Sequence, residues 1–515
     1  MAVSHDYLLP VIVPTILVVL ATVVLRARRT GISRLPYPPG PKPRFLIGNL
    51  FDIPTSYPWF TYEKWGKLYG DVIHIEALGQ HILVINSLNA ATELLEKRAH
   101  IYSDRPTIPM VKLAEWDFTF GMKPHGERWR QERRLFHQHF RRDAIPNYHP
   151  IQLKKTHGFL RNLLLTPEDF IDHIKTLSAG MIMAVVYGYE IEPANDPFVQ
   201  LAEDGVRAFS DLVQPGAFLV NTLPFLQYLP SWFPGCGFHQ FARDTVKLLD
   251  RMKTLPFNYV RKSMRDGVDT YSVLGEILKK NDVDSSPEKE KMIKDVAGIA
   301  YAAAHETTAS TLQVFFLAMA MHPDAVCKAQ SEIGAVIGPG RLPVFEDRKD
   351  LPYCEAVFRE VFRWLPTVPL ALPHATKEDD VYEGYYIPAG TMVLPNIWAI
   401  VHDEELYPNS ETFQPERFLN ADGQLNTNER ILGFGFGRRI CAGRYEAEAA
   451  VWAAIVSSLA VFDFAKAKDE DGQDIEIEAT LSDEAVGHPL PFNCSITPRS
   501  EAARRLIESM SDVHF

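Results

Sequence analysis

The segment Phe434 to Gly443, FGFGRRICAG, sets one cysteine, Cys441, in a glycine-rich loop just ahead of a helical run. A thiolate needs positive surroundings and backbone donors to stay deprotonated. Arg438 and Arg439 can supply the charge, and the flexible glycine backbone the donors. The loop therefore reads as one that presents sulfur to a haem iron. A thiolate axial ligand pushes electron density into the iron and favours O–O bond cleavage, which separates such proteins from oxygen carriers. Most lone cysteines are small buried apolar groups. Cys236, Cys327, Cys354 and Cys494 are expected to be that, because no C-x-x-C or clustered Cys/His spacing suggests zinc.

Oxygen chemistry at such a centre also needs protons. From about Glu290 to Met321 the chain has no proline and stops before His322-Pro323, which predicts one long helix. At 1.5 Å per residue it would run about 48 Å, and its second half is apolar nearly all round, as for a helix threading a large interior. His305, Glu306, Thr307 and Thr308 interrupt that apolar run. Burying such groups unpaired costs about 1–3 kcal/mol each, so their placement suggests a site. An acid beside a hydroxyl can relay protons through water. Buried helical threonines can also simply bond a preceding carbonyl.

Two further spacings put side chains on one helical face. Trp129 and Arg133 lie four apart, and Glu360 and Arg363 lie three apart, close enough for a charge-assisted pair. The second spacing alone is weak, because Glu127 with Arg130 and Glu501 with Arg504 repeat it.

In this order the elements resemble the cytochrome P-450 superfamily. Its cysteine signature, Phe-x-x-Gly-x-Arg-x-Cys-x-Gly, is matched at Phe434, Gly437, Arg439, Cys441 and Gly443. The distal pattern Ala/Gly-Gly-x-Asp/Glu-Thr is matched by Ala303, Ala304, His305, Glu306 and Thr307, with Ala304 where glycine is usual. Glu360 and Arg363 match Glu-x-x-Arg, and Pro415 to Phe418 match Pro-Glu-Arg-Phe, so the resemblance implies a buried triad of Glu360, Arg363 and Arg417. It also implies haem b as cofactor, with Trp129, Arg133, His374 and Arg439 at the propionates. Arginine is common at the place of His374, so a weaker, pH-sensitive contact is expected there. Glu306 and Thr307 become the proton relay. Segments that border the family's pocket carry Phe118, Phe120, Phe218, Ala303, Ala304, Val368, Leu370, Leu372 and Val486, and imply an apolar ligand. Electrons are expected from NADPH through a flavoprotein reductase, with O2 as co-substrate. The basic run Arg128, Arg130, Arg134, Arg141 and Arg142, with Arg438 and Arg444, could steer that acidic partner.

The 515-residue chain is 46% hydrophobic and 23% charged, enough for a large core, and its net charge of −12 argues against a nucleic-acid partner. Five scattered cysteines fit a reducing compartment. Tyr7 to Leu25 is 19 residues without a charge, long enough to cross a membrane, and is followed by Arg26, Arg28, Arg29 and Arg34. A cleaved signal peptide is disfavoured because Asp6 and no basic residue precedes the run. The expected organisation is a lumenal start (1–6), a signal-anchor helix (7–25), a basic and proline-rich linker (26–44), one catalytic domain (45–499) and a C-terminal tail (500–515). The linker's proline run, Pro36 to Pro43, would stand as a stiff spacer. The fold class is mainly α with a small β region, including a hairpin over Val381 to Asn396 turning at Pro388-Ala389-Gly390.

The resemblance covers residues 36 to 500 and leans to a fungal branch through "LPSWFPG" at Leu229 to Gly235 and "HPLPFNCSITPRS" at His488 to Ser500. It implies a single-pass protein of the endoplasmic reticulum membrane, its catalytic body in the cytosol. The implied activity is insertion of one oxygen atom into a terpenoid, polyketide, indole or aromatic molecule, in secondary metabolism or in xenobiotic detoxification. Haem-thiolate isomerisation or dehydration, or ligand binding without turnover, are the readings of another class.

Overall fold

A computed structural model describes residues 35–510 apart from 193–194, 215, 269–270, 281–285 and 428–429. The apolar run 7–25 lies outside the described residues. Nine helices carry the argument below: α1 (Glu127–Phe140), α2 (His149–Leu165), α3 (Phe170–Tyr187), α4 (Pro197–Val213), α5 (Phe238–Arg265), α6 (Pro287–Met321), α7 (Pro352–Trp364), α8 (Arg444–Val461) and α9 (Glu501–Ser509).

Helix α6 is the axis. Pro287 opens it, the Ser286 hydroxyl accepts from the Lys289 N–H, and Glu288 and Glu290 sit in the first turn, where the helix dipole favours negative charge. It is buried over most of its length from Ile293 to Ala320 and packs against α3, α4, α5 and α8. Its apolar second half meets α8 and Phe464 in the largest core cluster. Among the described residues only Pro167–Tyr187 is long and apolar enough to cross a membrane, and it is mostly buried in this core.

The β region is small. Strands β1 (Val72–Ala77), β2 (Gln80–Ile85), β3 (His374–Ala375) and β6 (Met392–Pro395) form one sheet in the order β1-β2-β6-β3. β1 and β2 are antiparallel with Val72 opposite Ile85, while β2 runs parallel to β6 with Ile82 beside Met392. Strands β4 (Asp380–Tyr382) and β5 (Tyr385–Ile387) form a two-stranded ribbon, as do β7 (Phe462–Lys466) and β8 (Cys494–Pro498).

Three expectations change. The hairpin turns at Glu383-Gly384, whose φ values of 51° and 82° suit a tight two-residue turn. Pro388-Ala389-Gly390 instead carries the chain into the other sheet, where β6 pairs with β2 and β3. The segment after residue 500 is not a plain tail over its described length, since α9 is capped by the Ser500 hydroxyl and buries Ala503 and Ile507. The proline run lies on the body rather than standing off it. Pro39 accepts from the His74 N–H, Pro36 from the Tyr386 N–H, and Tyr37 stacks on His74 at 4.5 Å.

A buried ion network ties α7 to the loop that follows α7 and β6. Glu360 accepts from Arg363 Nε and Nη2 at 2.6 and 2.8 Å, from Arg417 Nε at 3.1 Å, and from the Gln414 N–H at 2.8 Å. Arg363 also donates to the carbonyls of Val401 and Ser410. Removing the carboxylate charge leaves two guanidiniums without their anion in the interior. Glu360→Gln is expected to destabilise the fold by about 3–5 kcal/mol, read as a lowered urea midpoint.

Candidate active site

The cysteine loop is held by backbone conformation. Gly437 has φ of 53°, and a Cβ there would lie 2.1 Å from the Leu95 carbonyl oxygen, so no other residue fits without moving that turn. The Cys441 N–H donates to Phe434 O at 2.8 Å, and the Phe434 ring packs on Phe362 of α7 at 5.2 Å. Burial pushes the Cys441 thiol up, opposed by the Gly443 N–H and by the charges of Arg133 and Arg444. The positive neighbours are therefore not the pair read from the loop: Arg438 is exposed, and Arg439 turns away to the carbonyls of Ser103, Phe120 and Lys123. Iron would have to displace the thiol proton on binding.

Cys441 opens into a cavity of about 300 Å³ lined on this side also by Phe434, Gly443 and Ala447. Trp129 and Arg133 reach it from α1, Arg439 from the loop and His374 from β3. Arg105 joins them, although nothing in the sequence reading singled it out. Its Nη1 donates to the Leu372 and Pro373 carbonyls at 2.9 and 2.6 Å, bringing a guanidinium beside His374. Arg105, Arg133 and Arg439 are held below the usual arginine range, first by burial; Arg439 and Arg133 add repulsion at Arg105, Arg444 at Arg133 and Arg133 at Arg439, while the Asp104 charge opposes the shift at Arg105 and Arg439 and Cys441 opposes it at Arg133. Among the described residues none of the three forms a salt bridge with a carboxylate. Largely buried and convergent, their guanidiniums held by backbone carbonyls and eased at Arg105 and Arg439 only by the Asp104 charge, they fit a ligand with two carboxylates on an apolar body. Haem has that form, and the thiol opposite has the donor chemistry for its iron.

His374 differs from its expected role. Burial and the charges of Arg105 and Arg439 push it down to about 3, and Nδ1–H donates to Tyr102 O at 2.8 Å. The ring is neutral at physiological pH and offers Nε2 only as an acceptor.

On the far side, α6 supplies Ala303, Ala304, Thr307, Thr308 and Thr311 to the cavity wall. The helix runs unbroken through Ala304, and Ser178 of α3 donates to the His305 carbonyl at 2.6 Å. Thr307 Oγ1 donates to Ala303 O at 2.8 Å, which leaves the oxygen lone pairs toward the cavity. Glu306 does not join it. Adjacent helical residues do not share a face, and its carboxylate lines a second cavity of about 660 Å³ together with Leu370, Val486 and His488. Val368 and Leu372 line both cavities, and Phe120 the first. Phe118 and Phe218 line neither and belong to an apolar cluster, Phe118 under the Lys253 ammonium and Phe218 against Phe241. A stripe of aromatics carries no signal that separates core from pocket. Glu446 of α8 was also missed: it is buried on the cavity wall and pushed up to about 7 by burial, despite Gln152 of α2 at 3.4 Å.

The sequence profile of the cytochrome P450 family matches residues 38–492. Cytochrome P450 monooxygenase 208 of Postia placenta is 41% identical over 96% of this chain and 96% of its own length. Cytochrome P450 monooxygenase COX1 of Coprinopsis cinerea is 38% identical over 94% of this chain and 95% of its own. Cytochrome P450 monooxygenase ple1 of Rhodocybe pseudopiperita is 41% identical over 92% and 91%.

Two outcomes follow from the buried charge. Arg105→Gln removes one charged hydrogen-bond donor, worth about 1.5–3 kcal/mol. Haem transfer to apomyoglobin should then be faster by roughly tenfold or more. His374 binds a proton in the unfolded chain near the ordinary 6.5 but in the folded chain only near 3. The unfolded state therefore holds more protons in that window, and stability drops as pH falls from 6.5 toward 3, by about 1.4 kcal/mol per pH unit for this one group. His374→Gln should flatten the urea midpoint between neutral pH and about pH 5.

Proposed function

Because this chain belongs to the cytochrome P450 family, we propose that it is a haem-thiolate monooxygenase that places one atom of O2 into an apolar small molecule of the terpenoid, polyketide, indole or aromatic kind, in fungal secondary metabolism. The observation that carries the reading is a single cavity with the Cys441 thiol on one wall, three unpaired guanidiniums at its edge and Thr307 on the opposite wall. When bound, the haem supplies O2 activation with electrons passed from NADPH by a flavoprotein reductase.

Each residue has a separable task. Cys441 Sγ would ligate the iron, and Arg105, Arg133 and Arg439 would hold the two haem carboxylates, with Trp129 packed 4.6 Å from the Arg439 guanidinium. Thr307 Oγ1 can accept a hydrogen bond while its own hydrogen is given to Ala303 O, so it positions a proton carrier rather than holding a free proton. Glu306 is the acid that supplies it. Phe120, Ile299, Val368 and Leu372 exclude water and orient an apolar substrate over the same wall. Exposed Arg130, Arg134 and Arg438 form the basic face offered to the reductase.

The chain is read as anchored in the endoplasmic reticulum membrane by residues 7–25, with the body in the cytosol. Large apolar side chains left in solvent near the start of the described chain and in the 219–233 segment support a membrane-facing side: Phe45 is 91% exposed, Phe51 72%, Tyr228 82% and Trp232 79%.

The test is turnover in microsomes with a fungal reductase and a terpene, indole and aromatic panel under isotopically heavy dioxygen. Labelled oxygen in a product is the expected result; NADPH-dependent conversion without label would indicate rearrangement or dehydration. Cys441→Ser should abolish the thiolate-type spectrum of the carbon monoxide complex. Thr307→Ala should release peroxide at the expense of product, and fully coupled turnover in that variant would remove Thr307 from the relay.

A further inference from the structure

The second cavity has a charged floor of which the reaction as described above uses only Glu306. Lys175 of α3, Glu203 of α4, Glu306 of α6 and His488 from the strand-free segment before β8 all line it. His305 lies beneath, fully buried, with Nε2 at 3.5 Å from Glu203 and 3.9 Å from Glu306, and neither of its ring nitrogens has a hydrogen-bond partner. His488 Nε2 stands 3.1 Å from Glu306 Oε2, and His488 Nδ1 stands 3.3 Å from Gln313 Oε1. Each ring nitrogen of His488 thus faces an oxygen acceptor, an arrangement fully satisfied by the doubly protonated ring. The remaining acids of the segment are engaged elsewhere: Asp483 accepts the Tyr57 N–H and Glu484 the Ser482 hydroxyl. Tyr301, one turn back on α6, gives its hydroxyl to Phe198 O. Burial raises the Glu306 carboxyl, but the His488 hydrogen bond and the charges of His305, His488 and Lys175 more than offset it, so the group lies below its ordinary range.

We propose that His488 is a latch and proton loader for Glu306, holding the carboxylate on the second-cavity side and releasing it toward Thr307 only once it has taken a proton. In the loading step the His488 Nε2–H bond breaks and a Glu306 Oε2–H bond forms. The imidazole is left neutral, so both partners are uncharged, the attraction between them is lost, and the protonated side chain can turn toward its neighbour Thr307. The ring recovers a proton from solvent only after the acid has turned away. In this scheme the side chain of Glu306 carries protons, and no water, from the charged cavity to the apolar one. This reading rests on the proposed monooxygenase activity only for what the delivered proton does.

The experiment uses the full-length holoprotein in microsomes or bilayer discs, with folding of each variant checked by its carbon monoxide spectrum. Infrared difference spectra are taken while pH is stepped from about 3 to about 8, which covers both a carboxyl held below its ordinary range and the histidine charge change. Glu306→Gln identifies the carboxyl band of Glu306 by deleting it. In His488→Gln that band should persist to higher pH by about one unit or more, because burial then acts without its cationic partner. His488→Lys, which keeps a cation, should restore most of the shift. With a turned-over substrate, His488→Gln should lose several-fold more NADPH electrons to peroxide and show a flattened pH profile. A Glu306 band that titrates alike in wild type and His488→Gln overturns the latch. So does coupling that is unchanged across the pH range. A shifted band in a protein that converts no substrate supports the latch and counts instead against the monooxygenase reading.

Discussion

The Glu360 carboxylate is the point on which the cysteine side of the molecule hangs. It is buried, and two guanidiniums and one backbone N–H close on it, Arg363 from its own helix and Gln414 and Arg417 from one later segment. Arg363 and Arg417 pass the constraint outward through the carbonyls of Val401, Pro408, Asn409, Ser410 and Thr412, so an otherwise irregular segment has its backbone groups satisfied by side chains. The same helix presents Phe362 to Phe434 at the start of the cysteine loop. A buried network of this kind adds little net stability against an apolar alternative, but it defines one geometry, and an axial ligand needs one geometry.

Charge placement then divides the interior into two environments. The first cavity is apolar except for its guanidinium edge, its threonines and the buried Glu446, and its unpaired positive charge asks for an anionic ligand that is otherwise greasy. The second is more than twice as large and carries carboxylates, the His488 imidazole, the Lys175 ammonium and the Arg207 guanidinium. Helix α6 separates them, and consecutive residues of that helix, Glu306 and Thr307, look into different ones. A helix turns about 100° per residue, so an acid and an alcohol placed side by side in sequence cannot share a wall without a rotamer change. On the proposed mechanism, proton supply and oxygen chemistry are thereby kept apart by one side chain.

Some elements were legible because they depend on local rules. The long helix follows from an apolar run closed by Ser286-Pro287 at one end and His322-Pro323 at the other, and its start differs by three residues from the expected one because the cap was not used as a signal. The hairpin was misplaced because Pro-Ala-Gly and Glu-Gly are both turn sequences, and only sheet pairing decides between them. The helix after residue 500 was missed because its apolar face is just Ala503 and Ile507, too short a period to stand out before the core it docks on is known.

The sequence by itself singled out the proposed ligand: five fixed positions around Cys441 specify a loop whose backbone has room only for glycine at Gly437. It also determined the family, since motif order along the chain is a one-dimensional property. Tertiary structure alone decided the electrostatics. Arg133 and Arg444 rather than Arg438 and Arg439 face the thiol, Arg105 completes the guanidinium edge, and His488 meets Glu306 from 182 positions away in the chain. Charge acts through distance and burial, and neither is written in the spacing of residues along a chain.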